Sequence, residues 1–400
     1  VNVCVSNTLL GTEKSLCFNS ESPESFYWTE NVPRDFYVLK TYHDQNASDC
    51  LNTILKLYRQ DMLFDIPSNI NRMLSQLGAT RSSVWSKYVS QKAHRDFTKN
   101  LVDRLMVTLP KVSKHYYEGT WVKETPSLQA LKSIRVDKSV LRDLVQARDG
   151  NVASLKTFLP DENGFVGRVE YDRMNTLTGR LTVMSGPHVL TLKKEHRARL
   201  LRSVYDDGVI LSVDFSELEP RICLYEANGT CNSSDLYSWV AERAQVTSLD
   251  RSKIKEIIIS EIYGSGKSSE FLPEESRLYE FAKSTFKTKK LVKRLKQQVA
   301  DDSYVMNAFG RPIFVDDIKD HVLVNYFAQS SGVDVVLLGF AGLIKQYEQI
   351  SKKIRPLFFV HDAMYVDVPR EFVDLVKSID FVKTKRYVQA FPLKITELEL

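Results

Sequence analysis

The stretch LFFVHDAMYVDV, residues 357–368, reads as two strands around a polar pair: an apolar run reaches His361-Asp362, and an alternating run leads from Ala363 to Val368 and stops at Pro369. GVILSVDF at 208–215 is nearly continuous in apolar residues and ends at Asp214, the pattern of a buried strand that delivers a carboxylate. Strand character fills about 165–230 and returns at 357–400. Helical spacing occupies about 66–160, 231–300 and an amphipathic stretch from 322 to 350. Strands on both sides of a helical block predict one sheet interrupted by a helical insertion, an α+β fold. Residues 1–65 mix short apolar runs with Asn, Ser and Pro, and their role is unassigned.

Four hundred residues suit two or three subdomains around a cleft. With 43% hydrophobic and 26% charged residues, the chain has a globular profile rather than a disordered one. The most apolar stretch, VDVVLLGFAGLI at 333–344, is too short to cross a bilayer, and no leader pattern opens the chain. Five scattered cysteines without a CxxC pair predict neither a disulfide framework nor a zinc site. The expectation is a soluble protein of a reducing compartment with no membrane partner: the cytoplasm, a bacterial host's included, with an organelle left open. The net charge of +5 permits a polyanionic partner. Its distribution is more telling: Arg81, Lys87, Lys92, Arg95, Lys99, Arg104, Lys111 and Lys114 punctuate the first helical block, and KSTFKTKKLVKRLK fills 283–296. Either set is a solvated helical face or a surface for nucleic-acid phosphates.

Asp214 and Asp362 each stand at the end or turn of an apolar strand, where an unpaired charge is costly. A turn cap or a salt bridge is the ordinary explanation for one such aspartate. Two on neighbouring strands would converge and could share a pair of hard divalent cations, Mg²⁺ where a phosphate is also bound and Mn²⁺ as a substitute.

Around the first carboxylate the text is DFSELEPR, 214–221, which resembles motif A of the family A DNA polymerases, Asp-Tyr-Ser-Gln-Ile-Glu-Leu-Arg. The resemblance implies that Asp214 and the carbonyl of Phe215 are metal ligands, that Ser216 borders the nucleotide, and that Glu219 excludes a 2′-hydroxyl. RSKIKEIIISEIYG at 251–264 resembles motif B and puts Arg251, Lys255, Ile259 and Tyr263 at i, i+4, i+8 and i+12, one stripe of a helix. Arg251 and Lys255 would then meet a triphosphate, Lys255 would be the general acid for pyrophosphate, and Tyr263 would abut the template base. The Ile-rich centre could also be a strand, which would make GSGKSS at 264–269 half of a P-loop. A P-loop would require glycine at 261, where Glu261 stands. TLTGRLTVMSGPHVL at 176–190 resembles the family's Thr-Gly-Arg segment, implying that Arg180 reaches the minor groove. FGRP at 309–312 resembles its later Gly-Arg element, implying that Arg311 touches DNA. Asn325 and Gln329, one helical turn apart, match residues set against the nascent duplex, and His361-Asp362 matches motif C, with His361 near the primer end.

The resemblance spans about 165–380 and implies a right-hand polymerase fold. Residues 165–230 and 301–400 would form an antiparallel-sheet palm, 231–300 helical fingers, and 66–164 a helical thumb. It implies template-directed extension of a primer 3′-hydroxyl with dNTPs by two-metal phosphoryl transfer. Primer-template DNA is the expected partner, with a helicase, primase or separate exonuclease as further ones. The chain departs from the family at Ala363, where motif C carries a second acid, and at Glu217, Pro220 and Ile259; Tyr237 stands where many relatives have histidine. No apolar strand ending in Asp-x-Glu is visible in residues 1–150, so proofreading is expected to be absent. A single-subunit RNA polymerase and a decayed nucleic-acid-binding protein remain as alternatives; Glu219 speaks against the first, and Ala363 makes the second thinkable.

Overall fold

The computed structural model describes residues 2–33, 36–40, 51–59, 66–80, 83–111, 116–264, 271–315 and 319–398. The chain divides into two compact units, Val1–Gly119 and Thr120–Leu400. The boundary drawn at residue 65 is therefore not where a compact unit ends, and the block 66–164 is shared between the two. Arg81, Lys114 and 265–269 of the half P-loop lie outside the described residues, as does the side chain of Lys111.

In the first unit, β1 (Asn2–Val5), β2 (Ser15–Asn19), β3 (Ser22–Thr29) and β4 (Tyr37–Leu39) form a sheet of order β3-β2-β1-β4. Alternation does not betray these strands because β1 and β2 are buried on both faces, through Val3, Cys4 and Val5 and through Leu16, Cys17 and Phe18. Cys4 and Cys17 oppose each other as free, buried thiols. The helices are α1 (Asn7–Leu10), α2 (Leu51–Leu57), α3 (Ser68–Gln76) and α4 (Gln91–Thr108). The Ser90 hydroxyl starts α4 by accepting from the Ala93 amide at 3.2 Å, and Leu101 and Leu105 form its buried stripe.

The second unit begins with α5 (Val122–Gln129), β5 (Ile134–Val136), α6 (Lys138–Gln146), α7 (Val152–Lys156), β6 (Phe165–Val166), the paired strands β7 (Glu170–Asp172) and β8 (Thr182–Ser185), α8 (Lys194–Leu200) and β9 (Leu201–Arg202). Then come β10 (Val209–Phe215), α9 (Leu218–Glu226), α10 (Leu236–Arg243), α11 (Arg251–Ile262), α12 (Pro273–Phe286), α13 (Thr288–Asp302), the pair β11 (Tyr304–Met306) and β12 (Pro312–Phe314), and α14 (Asp320–Ile350). The chain closes with β13 (Arg355–Val360), β14 (Ala363–Val368), α15 (Val373–Lys377), β15 (Phe381–Val382) and β16 (Phe391–Glu397). The principal sheet has the order β13-β14-β10-β16-β15, every pair antiparallel. It is the single interrupted sheet that the strand pattern predicts, with α9 to α14 as the insertion.

Two layers cover this sheet. On one side lies α14, which is long and apolar enough to span a bilayer by length and composition, a correction to the reading of its apolar stretch as too short; most of it is buried within the protein. Phe340 of α14 sits 5.3 Å from both Phe215 of β10 and Phe359 of β13, measured between ring centroids. A Cβ on Gly339 would lie 3.0 Å from the Phe215 ring and 3.1 Å from Val382, so glycine sets how closely helix and sheet approach. Ile210, Phe358 and Tyr365 belong to a second core with Ile134, Leu141 and Leu200. At about 1.5–3 kcal/mol for each large apolar side chain buried, the two layers fix the sheet rigidly enough to aim its polar ends.

Candidate active site

Asp214, next to last in β10, pairs in register with Ala363 on β14 and with Lys394 on β16. Directly opposed residues share a sheet face, so a methyl, a carboxylate and an ammonium form one row. Asp362 precedes Ala363 in the two-residue turn joining β13 to β14. His361, first in that turn, has φ +56°, the sign two-residue hairpins require there and one that a side chain adopts at a cost. The Phe215 amide donates to the Asp362 carbonyl at 3.3 Å and pins the turn to the end of β10.

The structure thus brings the two carboxylates together. Burial, and then the neighbouring Asp362, pushes Asp214 from 3.8 up to about 6, against the opposing pull of Lys194 and Lys394. Burial also raises Asp362, against its own backbone, His361 and Arg180. Neither is in a salt bridge among the described residues. Two clustered, partly desolvated oxygen donors that no ion pair engages among the described residues fit hard divalent cations, and Phe215 borders the same cleft. Asp367, also on β14, is committed elsewhere: it accepts from the Ser203 hydroxyl at 2.6 Å, the Val204 amide at 3.0 Å and Arg355 at 3.3 Å.

Beside the carboxylates opens a cleft of about 640 Å³ that Arg180, Ser216, Glu219, Tyr237, Gln329 and His361 help to line. Arg251 and Lys255 line it too, from the first turns of α11. The helical reading of this segment holds despite its isoleucines, four of which are buried on it, and the Asp250 carboxylate caps it by accepting from the Lys253 amide at 2.9 Å. Ile259 is half-buried and, like Tyr263, is not part of the cleft lining. Tyr263 acts on the cleft indirectly: its hydroxyl donates to Glu219 at 2.5 Å, and Arg180 stands 3.6 Å from the same carboxylate. Glu261 is buried and accepts from the Thr288 hydroxyl at 3.1 Å, a structural role where a P-loop would have a glycine.

Gln329 holds the Thr-Gly-Arg segment to α14. With its amide nitrogen donating to the Thr178 hydroxyl at 2.7 Å, its oxygen accepts from Arg180 at 2.8 Å. Asn325, one turn away, is half-buried and outside the cleft lining. Arg311 corrects an expectation. It is 4% exposed and donates to the Arg173 carbonyl at 2.9 Å beneath Gly179, so it offers DNA no surface and instead supports the segment carrying Arg180. Gly179 has φ +79°, and a Cβ there would lie 2.7 Å from the Arg311 guanidinium. Arg173 is itself buried, with Glu124 at 2.6 Å and the Trp121 ring at 3.5 Å.

Three residues had no role assigned from sequence: Lys394 and Glu217 line the cleft, and Asp235 stands behind Arg251. Lys394 lies in no motif, and its place beside Asp214 follows from strand pairing alone. Asp235 caps α10 through the Tyr237 and Ser238 amides and also accepts from Arg251 Nε at 2.8 Å. Glu217, noted as a departure within DFSELEPR, binds Arg221 at 3.1 Å and Arg251 at 3.0 Å.

The sequence model of DNA polymerase family A matches residues 61–395. DNA polymerase I of Caldicellulosiruptor bescii is 25% identical over 248 residues, 53% of this chain and 29% of that protein. The DNA polymerase of Mycobacterium phage L5 is 29% identical over 141 residues, 32% of this chain and 23% of that protein. The chain therefore spans less than a third of the length of either relative. Among solved structures, the POL domain of Pol1 from M. smegmatis, in complex with DNA primer-template and dNTP, has the same fold at a TM-score of 0.51 and 14% identity, over 83% of this chain and 78% of that one.

Proposed function

The chain belongs to DNA polymerase family A, and from that premise we propose that it extends a primer 3′-hydroxyl with dNTPs under the direction of a DNA template. One observation carries the reading: Asp214 and Asp362 meet at one cleft whose lining also includes Arg251 and Lys255. When bound, two divalent cations, Mg²⁺ or Mn²⁺, would supply the charge that stabilises the attacking and leaving oxygens of an in-line displacement. Asp214, Asp362 and the Phe215 carbonyl would hold them.

The other roles fall to the chain's own groups. Lys255 protonates the departing pyrophosphate and Arg251 steadies its outer phosphates. Glu219, held by Tyr263 and Arg180, would exclude a ribose 2′-hydroxyl, which favours deoxynucleotides. Tyr237 and Ser216 border the nucleotide, while Arg180, Gln329 and His361 face the primer end. The principal sheet is assigned as the palm and α10 to α13 as the fingers, whose lysines and arginines would meet template phosphates. No proofreading activity is assigned to residues 1–150, and a helicase, primase or separate exonuclease would act as partners in replication.

Primer extension on a defined template with dNTPs and, separately, NTPs tests the reading. Extension confined to dNTPs and abolished by Asp214→Ala, with DNA binding kept, is expected. Extension by NTPs alone would establish the RNA polymerase alternative, and indifference to Asp214→Ala the decayed one. Metal-dependent 3′→5′ degradation lost on mutation within residues 1–150 would overturn the exonuclease assignment.

A further inference from the structure

Arg251, assigned above to the triphosphate, is already engaged. Its Nε donates to Asp235 at 2.8 Å and its Nη2 to Glu217 at 3.0 Å, with the guanidinium 5.4 Å from the Tyr237 ring centroid. Glu217 differs from Arg251 in freedom. The Arg251 side chain is 57% exposed, whereas that of Glu217 is 8% exposed. The second oxygen of Glu217 accepts from Arg221 at 3.1 Å and from the Leu236 amide at 3.2 Å. Arg221 is fully buried and also donates to the carbonyls of Ser216, Ser233 and Ser234. The carboxylate is thus fastened from behind and the arginine is the part that can move. Arg221, Arg251, Glu217 and Asp235 sum to zero charge, so an entering polyphosphate meets a neutral cluster at this wall of the cleft. Lys255, one turn along, has no carboxylate partner among the described residues.

We propose that Glu217 is a positioning residue that holds Arg251 in reserve and thereby sets how tightly polyphosphates bind. A dNTP must draw Arg251 off a fixed carboxylate, and after chemistry the same carboxylate competes for Arg251 and loosens pyrophosphate. The inference rests on the polymerase reading, and it concerns the acid at the position where the family's motif A has glutamine.

The test is single-nucleotide incorporation by the whole chain on a defined primer-template, comparing wild type, Glu217→Gln and Asp235→Asn. Asparagine keeps the helix cap of Asp235 while removing its charge. Glu217→Gln should lower the KM for dNTP about three- to tenfold without raising kcat, and lower the inhibition constant for pyrophosphate in parallel. Asp235→Asn should move both constants the same way and carries the test if Glu217→Gln does not fold. A purely structural role would instead lower the melting temperature and kcat with KM unchanged or raised. KM values at or above wild type in the folded variants, with the wild type active, overturn the inference and leave the polymerase reading standing; a wild type that extends no primer overturns both.

Discussion

Replacing Asp214 by asparagine in the metal-free protein should stabilise the second unit at neutral pH. The carboxyl is raised from 3.8 to about 6, first by burial and then by Asp362. Ionised in both states at pH 7, it therefore costs the folded state up to about 3 kcal/mol. Part of the side chain faces the open cleft, so solvent screening brings the expected cost to about 1–2 kcal/mol. The sign follows from linkage. A folded-state value above the unfolded one means that the folded chain holds the proton more tightly between pH 3.8 and about 6. This favourable contribution is complete below 3.8 and lost as pH rises through about 6. The advantage of Asp214→Asn should accordingly be nil near pH 3.5 and full above pH 7, about 2–3 °C in melting temperature for a unit of this size. Thermal unfolding in EDTA, followed by circular dichroism at several pH values, reads it directly. Saturating Mg²⁺ should reverse the order, because cation binding stabilises the wild-type pair by mass action. A variant less stable than wild type at pH 7 in EDTA, or a difference independent of pH, would refute the reasoning.

Gly179→Ala should force the Arg311 guanidinium aside and disturb the segment carrying Arg180; a loss of about tenfold or more in kcat/KM for primer-template is expected, and unchanged kinetics would show that the segment tolerates the shift. Arg173→Met removes the buried partner of Glu124, whose carboxyl is raised chiefly by burial and then by Asp334, and should cost about 3–5 kcal/mol in denaturant unfolding. Lys394→Met removes an ammonium beside Asp214 and should lower the Mg²⁺ concentration needed for half-maximal extension; a shift to higher Mg²⁺ would mean that Lys394 assists cation binding.

The principal sheet was legible because its strands carry a strong local signal, with Val209–Phe215 and Arg355–Val360 dense in apolar residues and both leading to an aspartate. Motif B shows the same logic under tension. Local propensity in KEIIISEI favoured a strand, the spacing of Arg251, Lys255 and Tyr263 favoured a helix, and the helix won because Ile254, Ile257, Ile258 and Ile262 are buried on it. The first unit was illegible for a physical reason: β1 and β2 are buried on both faces, so the polar-apolar alternation that marks a half-exposed strand is missing. Arg311 failed differently. Its motif was visible, yet a motif does not report depth, and Gly179 above it leaves room for a guanidinium where DNA was expected.

The charge of the site shows most clearly what one-dimensional text withholds. Ala363 could be seen to lack a carboxylate, but the residue on the other side of Asp214 is set by β16, and sheet registry puts Lys394 there, 180 positions later. The row Ala363, Asp214, Lys394 is therefore neutral, and Asp362 leaves the group with a net charge of −1. On the polymerase reading, such a site offers two divalent cations little compensation of its own. Most of the remaining negative charge must arrive with the triphosphate, so cation and nucleotide binding should be strongly coupled. On the proposed role of Glu217 the coupling runs the same way at Arg251, which that carboxylate holds at 3.0 Å until a polyphosphate takes its place. Both effects thus make the empty cleft a poor binder of either component alone, and equilibrium titration of Mg²⁺ with and without dNTP on the Asp235→Asn protein would separate the two contributions.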